Sequence, residues 1–154
     1  MKHPTHDPAC GVCRAIAAME PVFENDLWFV ARMPKGIGIP GWVMVCSQRH
    51  TPGIAHLNDV EAANFGPALR HFARTLEDVT GALRIYTAAM GESFPHLHAH
   101  LVPRSAKMPN DVKAWAVFDL HRATEKGEVK VDENEVADVA RRYSEALARY
   151  PPPR

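Results

Sequence analysis

The hydrophobic positions along this chain follow two different periods, which predicts a domain of mixed strands and helices. Short apolar segments at Leu27–Ala31, Trp42–Cys46 and Leu83–Ala88 have the length and composition of β-strands. Residues 34–41 contain two prolines and three glycines. This segment is therefore expected to form an irregular loop between two antiparallel strands.

The longest helical pattern begins at Asn58, which forms a predicted capping box with Glu61. It is predicted to end at Gly81, because glycine readily adopts the left-handed conformation that closes a helix. The pair Gly66-Pro67 falls inside the segment and predicts a kink or a restart of the helix. The apolar face consists of residues three or four positions apart: Phe65, Leu69, Phe72, Leu76 and Val79.

Three further elements complete the predicted order. A short helix is expected through Ile16 and Met19, and the apolar run Trp115–Leu120 is expected to be a strand or an extended segment. A final helix is predicted from about Glu133 to Arg149. Together the elements indicate one α+β domain over residues 1–154, in which helices pack on one face of an antiparallel sheet.

The segment His96–Val102 carries histidines at every second position, which is the spacing of side chains on one face of a β-strand. In a helix the same side chains would be scattered around the axis. Imidazole can act as nucleophile, base or metal ligand near neutral pH. We therefore expect one chemically active face, formed by His96, His98 and His100, and one core face, formed by Leu97, Ala99 and Leu101.

Composition limits the partners that the chain is expected to have. The 18 Lys and Arg residues balance the 18 Asp and Glu residues, so no extended nucleic-acid surface is indicated. The first seven residues lack the apolar core of a signal peptide, and no apolar run is long enough to cross a membrane. A cytoplasmic protein without membrane contact is expected.

The spacing Cys10-x-x-Cys13 is typical of zinc sites and of redox sites. A thioredoxin-like site would require a βαβ unit around the pair, and the predicted order contains none. Cys46 lies inside a predicted strand and is expected to be a buried, small apolar residue. The remaining histidines belong to no motif and are expected on the surface or in helices: His3, His6, His56, His71 and His121.

The run from His96 to Val102 resembles the signature of the histidine triad (HIT) family, in which three histidines alternate with apolar residues. It matches that signature at all seven positions, with Gly91 before it and Pro103-Arg104 after it. The resemblance covers about residues 10–104 and implies a five-stranded antiparallel sheet with one long helix, paired into a homodimer. The C-terminal helix lies in the segment 105–154, whose role the resemblance leaves open.

The resemblance also implies a chemistry. In HIT enzymes the middle histidine, here His98, attacks the α-phosphorus of a nucleotide ester, phosphoramidate or dinucleoside polyphosphate. A nucleotidyl-histidine intermediate results, which water or a second substrate then resolves. His100 would contact the phosphoryl oxygens or the leaving group. Ser93 occupies a position from which family members bind phosphate.

A subset of HIT proteins carries a Cys-x-x-Cys pair near the N-terminus. There, the two cysteines bind structural zinc together with a histidine after the second long strand and the first histidine of the triad. Carried over to this chain, the ligands are Cys10, Cys13, His50 and His96. The alternative is a pair of reduced cysteines beside a packed His50.

Three departures from the family pattern concern the substrate. Glu92 stands where many members have a phosphate-binding Gln, and a carboxylate there would repel phosphate. Residues 30–33 offer no acidic side chain for ribose hydroxyls. Trp42 stands where some members have a histidine, and the ring is suited either to stacking on a base or to packing.

Three functions are therefore compatible with the sequence. The first is a nucleotide hydrolase or nucleotidyl transferase that forms an intermediate on His98. The second is a non-catalytic nucleotide- or zinc-binding protein on the same fold. The third is a metal-dependent hydrolase in which the three histidines bind a catalytic ion, and it requires an open coordination position.

Overall fold

One antiparallel sheet of five strands organises the fold. The computed structural model of the protein describes residues 3–154. Along the sheet the strands follow the order β1-β2-β3-β5-β4, so the last strand in sequence lies between its two predecessors. The strands are β1 (Phe23–Glu24), β2 (Trp28–Arg32), β3 (Val43–Ser47), β4 (Arg84–Ala88) and β5 (His98–Arg104).

Residues 3–154 contain four α-helices, and none of them has the length and apolarity required to span a membrane. In the longest helix the Asn58 side chain accepts a hydrogen bond from the Glu61 amide, and Glu61 reciprocates, which confirms the capping box. Gly81 closes that helix at a φ of 63°. The helices are α1 (Gly11–Ala18), α2 (Asp59–Thr80), α3 (Trp115–Glu125) and α4 (Glu133–Arg149).

The main core lies between the sheet and the pair α2 and α4. The alternating residues Trp28 and Val30 face it from β2, and Tyr143 and Leu147 enter it from α4. The hydroxyl of Tyr143 donates to the carbonyl of Phe72, so the one polar atom of that ring has a partner. Two long helices thus cover one face, as the amphipathic patterns predict.

The opposite face of the sheet is covered only at its margins, by the short helices α1 and α3. Ile16 of α1 packs against Phe29, and Val117 of α3 packs against Met33 and Trp42. The expectation that helices pack on one face is therefore incomplete. The gap between the two short helices leaves part of the sheet open to a cavity.

One local prediction is wrong, and of a second prediction one alternative, the restart of a helix, is excluded. Trp115–Leu120 is not a strand but the first half of α3, because a short apolar run cannot distinguish a strand from a helix without its neighbours. Helix α2 continues through Pro67 without a restart. Gly66 and Pro67 lie on the exposed face, where water can solvate the carbonyl that proline leaves unbonded.

The histidine strand begins two residues later than predicted. β5 starts at His98, and His96 precedes it at a bend, next to which the Leu97 amide donates to the Thr51 carbonyl. Within the strand, His98 is paired with Cys46 and His100 with Met44. Leu97, Ala99 and Leu101 are at most 3% exposed, so the alternation of core and site residues is as predicted.

Candidate active site and metal centre

The floor of the candidate site is formed by three neighbouring strands. In one row across the sheet His98 lies beside Cys46, which in turn lies beside Phe29; the next row is His100, Met44 and Ala31. All six side chains line one cavity of about 690 Å³. The two histidines are the only polar residues in these rows, so the floor is apolar except where the imidazoles stand.

Three segments form the walls of this cavity. Residues 90–94, which include the predicted phosphate-site residues Glu92 and Ser93, form one wall, and residues among the first six of α1 contribute to another. Helix α3 supplies the third through His121, Arg122 and Glu125. Charged side chains therefore lie at the sides of the cavity, near the imidazoles. The apolar floor is available to contact the uncharged parts of a ligand.

The hydrogen bonding of His98 fixes its tautomer. Its Nδ1 lies 2.7 Å from the backbone carbonyl oxygen of His96, so Nδ1 carries the proton and donates it. The lone pair is then on Nε2, which has no hydrogen-bond partner among residues 3–154. A neutral imidazole with an available Nε2 in the cavity is the form that a nucleophile requires.

His100 is held in the opposite tautomer. The indole Nε1 of Trp42 donates to Nδ1 of His100 at 3.0 Å, so the proton of a neutral His100 resides on Nε2. Burial, together with the neighbouring His98 and His121, lowers the pKa of His100 to about 4. His100 therefore presents a neutral N–H donor in the same cavity, next to the lone pair of His98.

Trp42 is in a position that favours packing over stacking on a base. It is 2% exposed, and its ring meets Phe118 and His121 edge to face at centroid distances of 5.8 Å. No face of the indole is open to a ligand. The sequence alternative of a base-stacking Trp42 is thus not supported, and the contact with His100 is a role that sequence reasoning missed.

Helix α3 contributes side chains that the sequence analysis did not assign to the site. His121 was expected on the surface or in a helix; it is helical but lies at the cavity, with its Nδ1 3.3 Å from Oε2 of Glu125. The spacing His121-x-x-x-Glu125 brings two side chains together only on a helix. The incorrect strand prediction for Trp115–Leu120 concealed this signal.

The tail that carries α3 is anchored to the sheet. Arg104, at the end of β5, is buried and donates to the carbonyl oxygens of Ser105, Met108 and Pro109. On the other side of α3, the Gly38 amide donates to Thr124 Oγ1 at 3.0 Å. These contacts keep α3 beside the cavity. The guanidinium of Arg104 binds backbone carbonyl oxygens of the same chain and does not point at a ligand.

Behind the cavity, the four predicted metal ligands converge. One ligand atom each from Cys10, Cys13, His50 and His96 lies within 4.8 Å of the other three. The Sγ of Cys13 is 3.3 Å from Nδ1 of both histidines, and the Sγ of Cys10 is 3.7 Å from Nδ1 of His96. Tetrahedral zinc with bonds of about 2.3 Å to sulfur and about 2.0 Å to nitrogen requires similar separations, about 3.6 Å.

The orientation of the histidine ligands also fits a metal. His96 is fully buried, and its Nε2 donates to the Ser47 carbonyl at 2.8 Å, which leaves the Nδ1 lone pair facing the sulfur atoms. Burial is the main cause that lowers the pKa of His96 to about 4 and raises the pKa of Cys13. His96 is thus neutral, as a ligand must be, whereas a cation is required to hold Cys13 as thiolate.

The loop that carries His50 is fixed from two sides. The Thr5 hydroxyl accepts from the His50 amide at 2.9 Å. The adjacent Arg49 makes two bonds to the Glu61 carboxylate, at 2.9 and 2.6 Å. Burial opposes ionisation of Glu61, but the Arg49 side chain and the Asn58 amide hold its pKa below the usual range. This pair connects the metal-ligand loop to the start of α2.

A sequence model of the HIT domain matches residues 17–107, which is more than half of the chain and includes all five strands. The chain belongs to the HIT domain family. This family contains both hydrolases and transferases that act on nucleotides. A comparison with curated protein sequences gives no match. Helices α3 and α4 lie outside the matched segment, so the third wall of the cavity does as well.

Solved HIT structures share the fold over nearly the whole chain. A zinc-bound histidine triad family protein from Mycobacterium smegmatis is 15% identical at a TM-score of 0.65, with 92% of this chain and 94% of that chain covered. A Hit-like protein involved in cell-cycle regulation from Bartonella henselae is 16% identical at a TM-score of 0.66, with 92% and 98% covered. At such identities the likeness establishes the fold.

A structure of a uridylyltransferase is also similar, with 21% identity and a TM-score of 0.62. The alignment covers 92% of this chain but 46% of that chain. The HIT fold of this protein therefore corresponds to about half of the larger transferase chain.

Proposed function

We propose that this HIT protein is a nucleotide hydrolase or nucleotidyl transferase that works through a nucleotidyl-histidine intermediate on His98. The observation that carries the proposal is the bond from His98 Nδ1 to the His96 carbonyl. It leaves the Nε2 lone pair in a cavity of about 690 Å³, large enough for a nucleotide. Family membership supports the same class of reaction.

In the first step, His98 Nε2 forms a bond to the α-phosphorus and the bond from phosphorus to the leaving group breaks. The leaving group departs with the electron pair. His100 donates its Nε2 proton in a hydrogen bond to a phosphoryl oxygen, where negative charge develops. In the second step, water or another acceptor displaces His98 from phosphorus and the nucleotide leaves.

The metal-dependent alternative fits this geometry less well. Imidazoles that share one catalytic ion must direct nitrogen atoms at a common point. Here His96 directs Nδ1 at the cysteines, while the neighbouring His98 uses its own Nδ1 to bond the backbone. The buried set of two cysteines and two histidines has the composition of a closed structural zinc site.

We propose structural zinc at Cys10, Cys13, His50 and His96. The ion would supply folding free energy by joining α1 to the two histidine segments. No step of the reaction passes through it. Because His96 also provides the carbonyl that orients His98, the zinc site and the nucleophile share one residue. The homodimer, the cytoplasmic location and the identity of the nucleotide stay predictions.

The test of the proposed function is direct observation of the intermediate. The purified protein is mixed with the 4-nitrophenyl ester of AMP, quenched in acid and analysed by intact mass. The expected result is a protein carrying one nucleotidyl group, with the modification located at His98 by peptide mapping. The His98→Gly protein should form no adduct and release no 4-nitrophenolate.

The matched control is His56→Ala, which removes an exposed histidine in the turn Ile54–His56, outside the cavity. It should behave like the parent. Turnover that persists in His98→Gly at the parental rate would exclude covalent catalysis at this residue. Tight nucleotide binding by calorimetry without any turnover would favour the non-catalytic binding protein instead.

A further inference from the structure

Helix α3 places a carboxylate–imidazole pair at the cavity, in the part of the chain that the HIT domain model does not match. Nδ1 of His121 lies 3.3 Å from Oε2 of Glu125. With the carboxylate as acceptor, the proton of a neutral His121 resides on Nδ1 and the lone pair on Nε2. His121 Nε2 has no hydrogen-bond partner among residues 3–154.

The position of His121 relative to the triad is fixed by Trp42. The indole meets the ring of His100 at a centroid distance of 5.9 Å and the ring of His121 at 5.8 Å, so the three rings form a continuous row. His121 and His98 line the same cavity. The His121 side chain is 31% exposed, which gives water access to this end of the site.

The second half of a hydrolytic reaction requires a proton acceptor that the triad does not provide. In the intermediate, Nε2 of His98 is bonded to phosphorus and its Nδ1 carries a proton. His100 accepts from Trp42 at Nδ1 and carries its proton on Nε2, so neither nitrogen can take another proton without loss of that bond. Once His98 is bonded to phosphorus, His121 is the only one of the three imidazoles lining the cavity whose lone pair has no donor among residues 3–154.

We propose that His121, oriented by Glu125, is the general base that activates water for hydrolysis of the intermediate on His98. This inference rests on the proposed function. The water oxygen forms a bond to phosphorus and its proton passes to His121 Nε2. The bond from phosphorus to His98 Nε2 breaks, and its electron pair returns to His98. The products are a nucleoside monophosphate and an enzyme protonated on His121, which returns to its starting state when Nε2 releases that proton to solvent.

The experiment separates the two half-reactions by the choice of substrate. The 4-nitrophenyl ester of AMP releases 4-nitrophenolate, which needs no proton at departure. The first step is therefore independent of a general acid and appears as a rapid burst of absorbance. The second step is followed by intact mass, as the loss of the nucleotidyl group from the protein after excess substrate is removed.

The main variant is His121→Phe, which keeps an aromatic ring against Trp42 but has no basic nitrogen. The expected result is a burst at the parental rate and hydrolysis of the adduct about 10²-fold slower, as is typical when a general base is lost. Glu125→Gln should slow adduct hydrolysis less, because an amide oxygen still accepts from Nδ1. His56→Ala should retain both rates.

Chemical rescue gives a second measurement. In His121→Ala the space of the ring is free, and added imidazole should accelerate hydrolysis of the adduct without changing the burst. Loss of the adduct at the parental rate in His121→Phe would overturn the proposal. So would an equal decrease of burst and hydrolysis without rescue, since His121 would then only support the structure of the site.

The failure of the proposed function has a different signature. If the parental protein shows neither burst nor adduct, the intermediate itself is absent and the inference about His121 is excluded with it. If the adduct forms but is stable in water and released by a nucleotide acceptor, the protein is a transferase. That outcome overturns the activation of water by His121, because no hydrolysis of the intermediate then takes place.

Discussion

The indole nitrogen of Trp42 and Nδ1 of His100 are joined by a hydrogen bond of 3.0 Å between two largely buried rings. Indole can only donate, so the bond assigns the acceptor role to Nδ1 and leaves the proton of His100 on Nε2. Trp42, a residue that the sequence alone would assign equally to core packing, thus determines which nitrogen of His100 is the hydrogen-bond donor. Trp42 acts on the site through His100 and not by touching a ligand.

Replacement of Trp42 by Phe should allow the proton of His100 to reside on either ring nitrogen. The aromatic packing is largely retained while the donor is lost, so the pKa of His100 should rise from its value of about 4, because a proton can then bind Nδ1. We expect kcat to fall about fivefold to tenfold, since one neutral hydrogen bond is worth about 1 kcal/mol. Imidazole ¹⁵N resonances measured by NMR across pH 3–8 report the tautomer directly.

Trp115 offers the matched control for this prediction. It is 78% exposed at the start of α3, and Trp115→Phe makes the same chemical change away from His100. Its kinetics and the His100 resonances should match those of the parent. An unchanged tautomer and an unchanged kcat in Trp42→Phe would contradict the positioning role.

Metal analysis should find about one zinc ion per chain, because two thiolates and two imidazoles complete a tetrahedral shell. Cys10→Ser and Cys13→Ser should lose the ion and melt at a lower temperature, since the binding free energy of a structural metal stabilises the fold. They should retain residual activity, because His98 and its carbonyl partner are still present. Plasma mass spectrometry and calorimetry provide the two measurements.

Cys46 serves as the control for the metal prediction. It is 3% exposed, and burial raises the pKa of its thiol to about 12, so it stays neutral beneath the cavity. Cys46→Ala should retain zinc. Protein prepared without chelator that contains no zinc would contradict the assignment of all four ligands.

Substitution of Glu92 by Gln should strengthen the binding of nucleoside monophosphates. Glu92 is exposed on the wall of the cavity and its charge repels phosphate. The gain should be about twofold to fivefold, as an exposed pair of charges is worth about 1 kcal/mol or less. AMP and GMP should bind within about tenfold of each other, since β2 supplies no carboxylate for ribose and the floor offers no base-reading group.

Isothermal titration with AMP and GMP measures both parts of this prediction. Glu128→Gln makes the same change on an exposed residue outside the cavity and should leave the affinities unchanged. A hundredfold preference for one base, or an unchanged affinity in Glu92→Gln, would show that phosphate and base are recognised by other groups.

The Arg49–Glu61 pair should make stability depend on acid pH. The pKa of Glu61 is lowered in the folded protein, so its contribution is fully present above the unfolded value of about 4.3 and is lost as pH falls through the lower folded value. At pH 7, Glu61→Gln should cost about 2 kcal/mol, because the nearly buried carboxylate of Glu61 loses its charge-assisted bonds to Arg49, whose side chain is 28% exposed. The difference from the parent should shrink steadily below pH 4.

Urea unfolding across pH 2–8 provides the measurement. Glu145→Gln is the control, because its partner Arg141 is exposed and such surface pairs contribute little. A deficit in Glu61→Gln that stays constant down to pH 2 would show that the charge of Glu61 is not what stabilises this junction.

The features that the sequence predicted depend on local chemistry. The capping box at Asn58 and Glu61, the closing Gly81 and the bounds of α4 follow from interactions within a few residues, and all three are present. The convergence of Cys10, Cys13, His50 and His96 followed from a family pattern and not from the residues alone. It is confirmed as a cluster able to hold a metal ion.

The features that the sequence did not predict depend on contacts between distant segments. Residues 115–120 are helical because Val117 packs against Met33, Trp42 and Val102, which lie up to 84 positions away. The strand β1 has two residues, too few for any periodicity. The position of His121 at the cavity required both the correct helix and its docking, so neither composition nor spacing could indicate it.

In β5, core residues alternate with the histidines of the site. The register that buries the core residues is therefore the same register that turns the imidazoles toward the cavity. A slip of one residue against β3 would turn His98 and His100 toward α2 and expose Leu101, which is fully buried, to water. Burying a leucine is worth about 2 kcal/mol, and two uncompensated imidazoles in the core would add to the penalty. Misregistered chains are thus the least stable ones, and folding itself selects the molecules whose nucleophile faces the cavity.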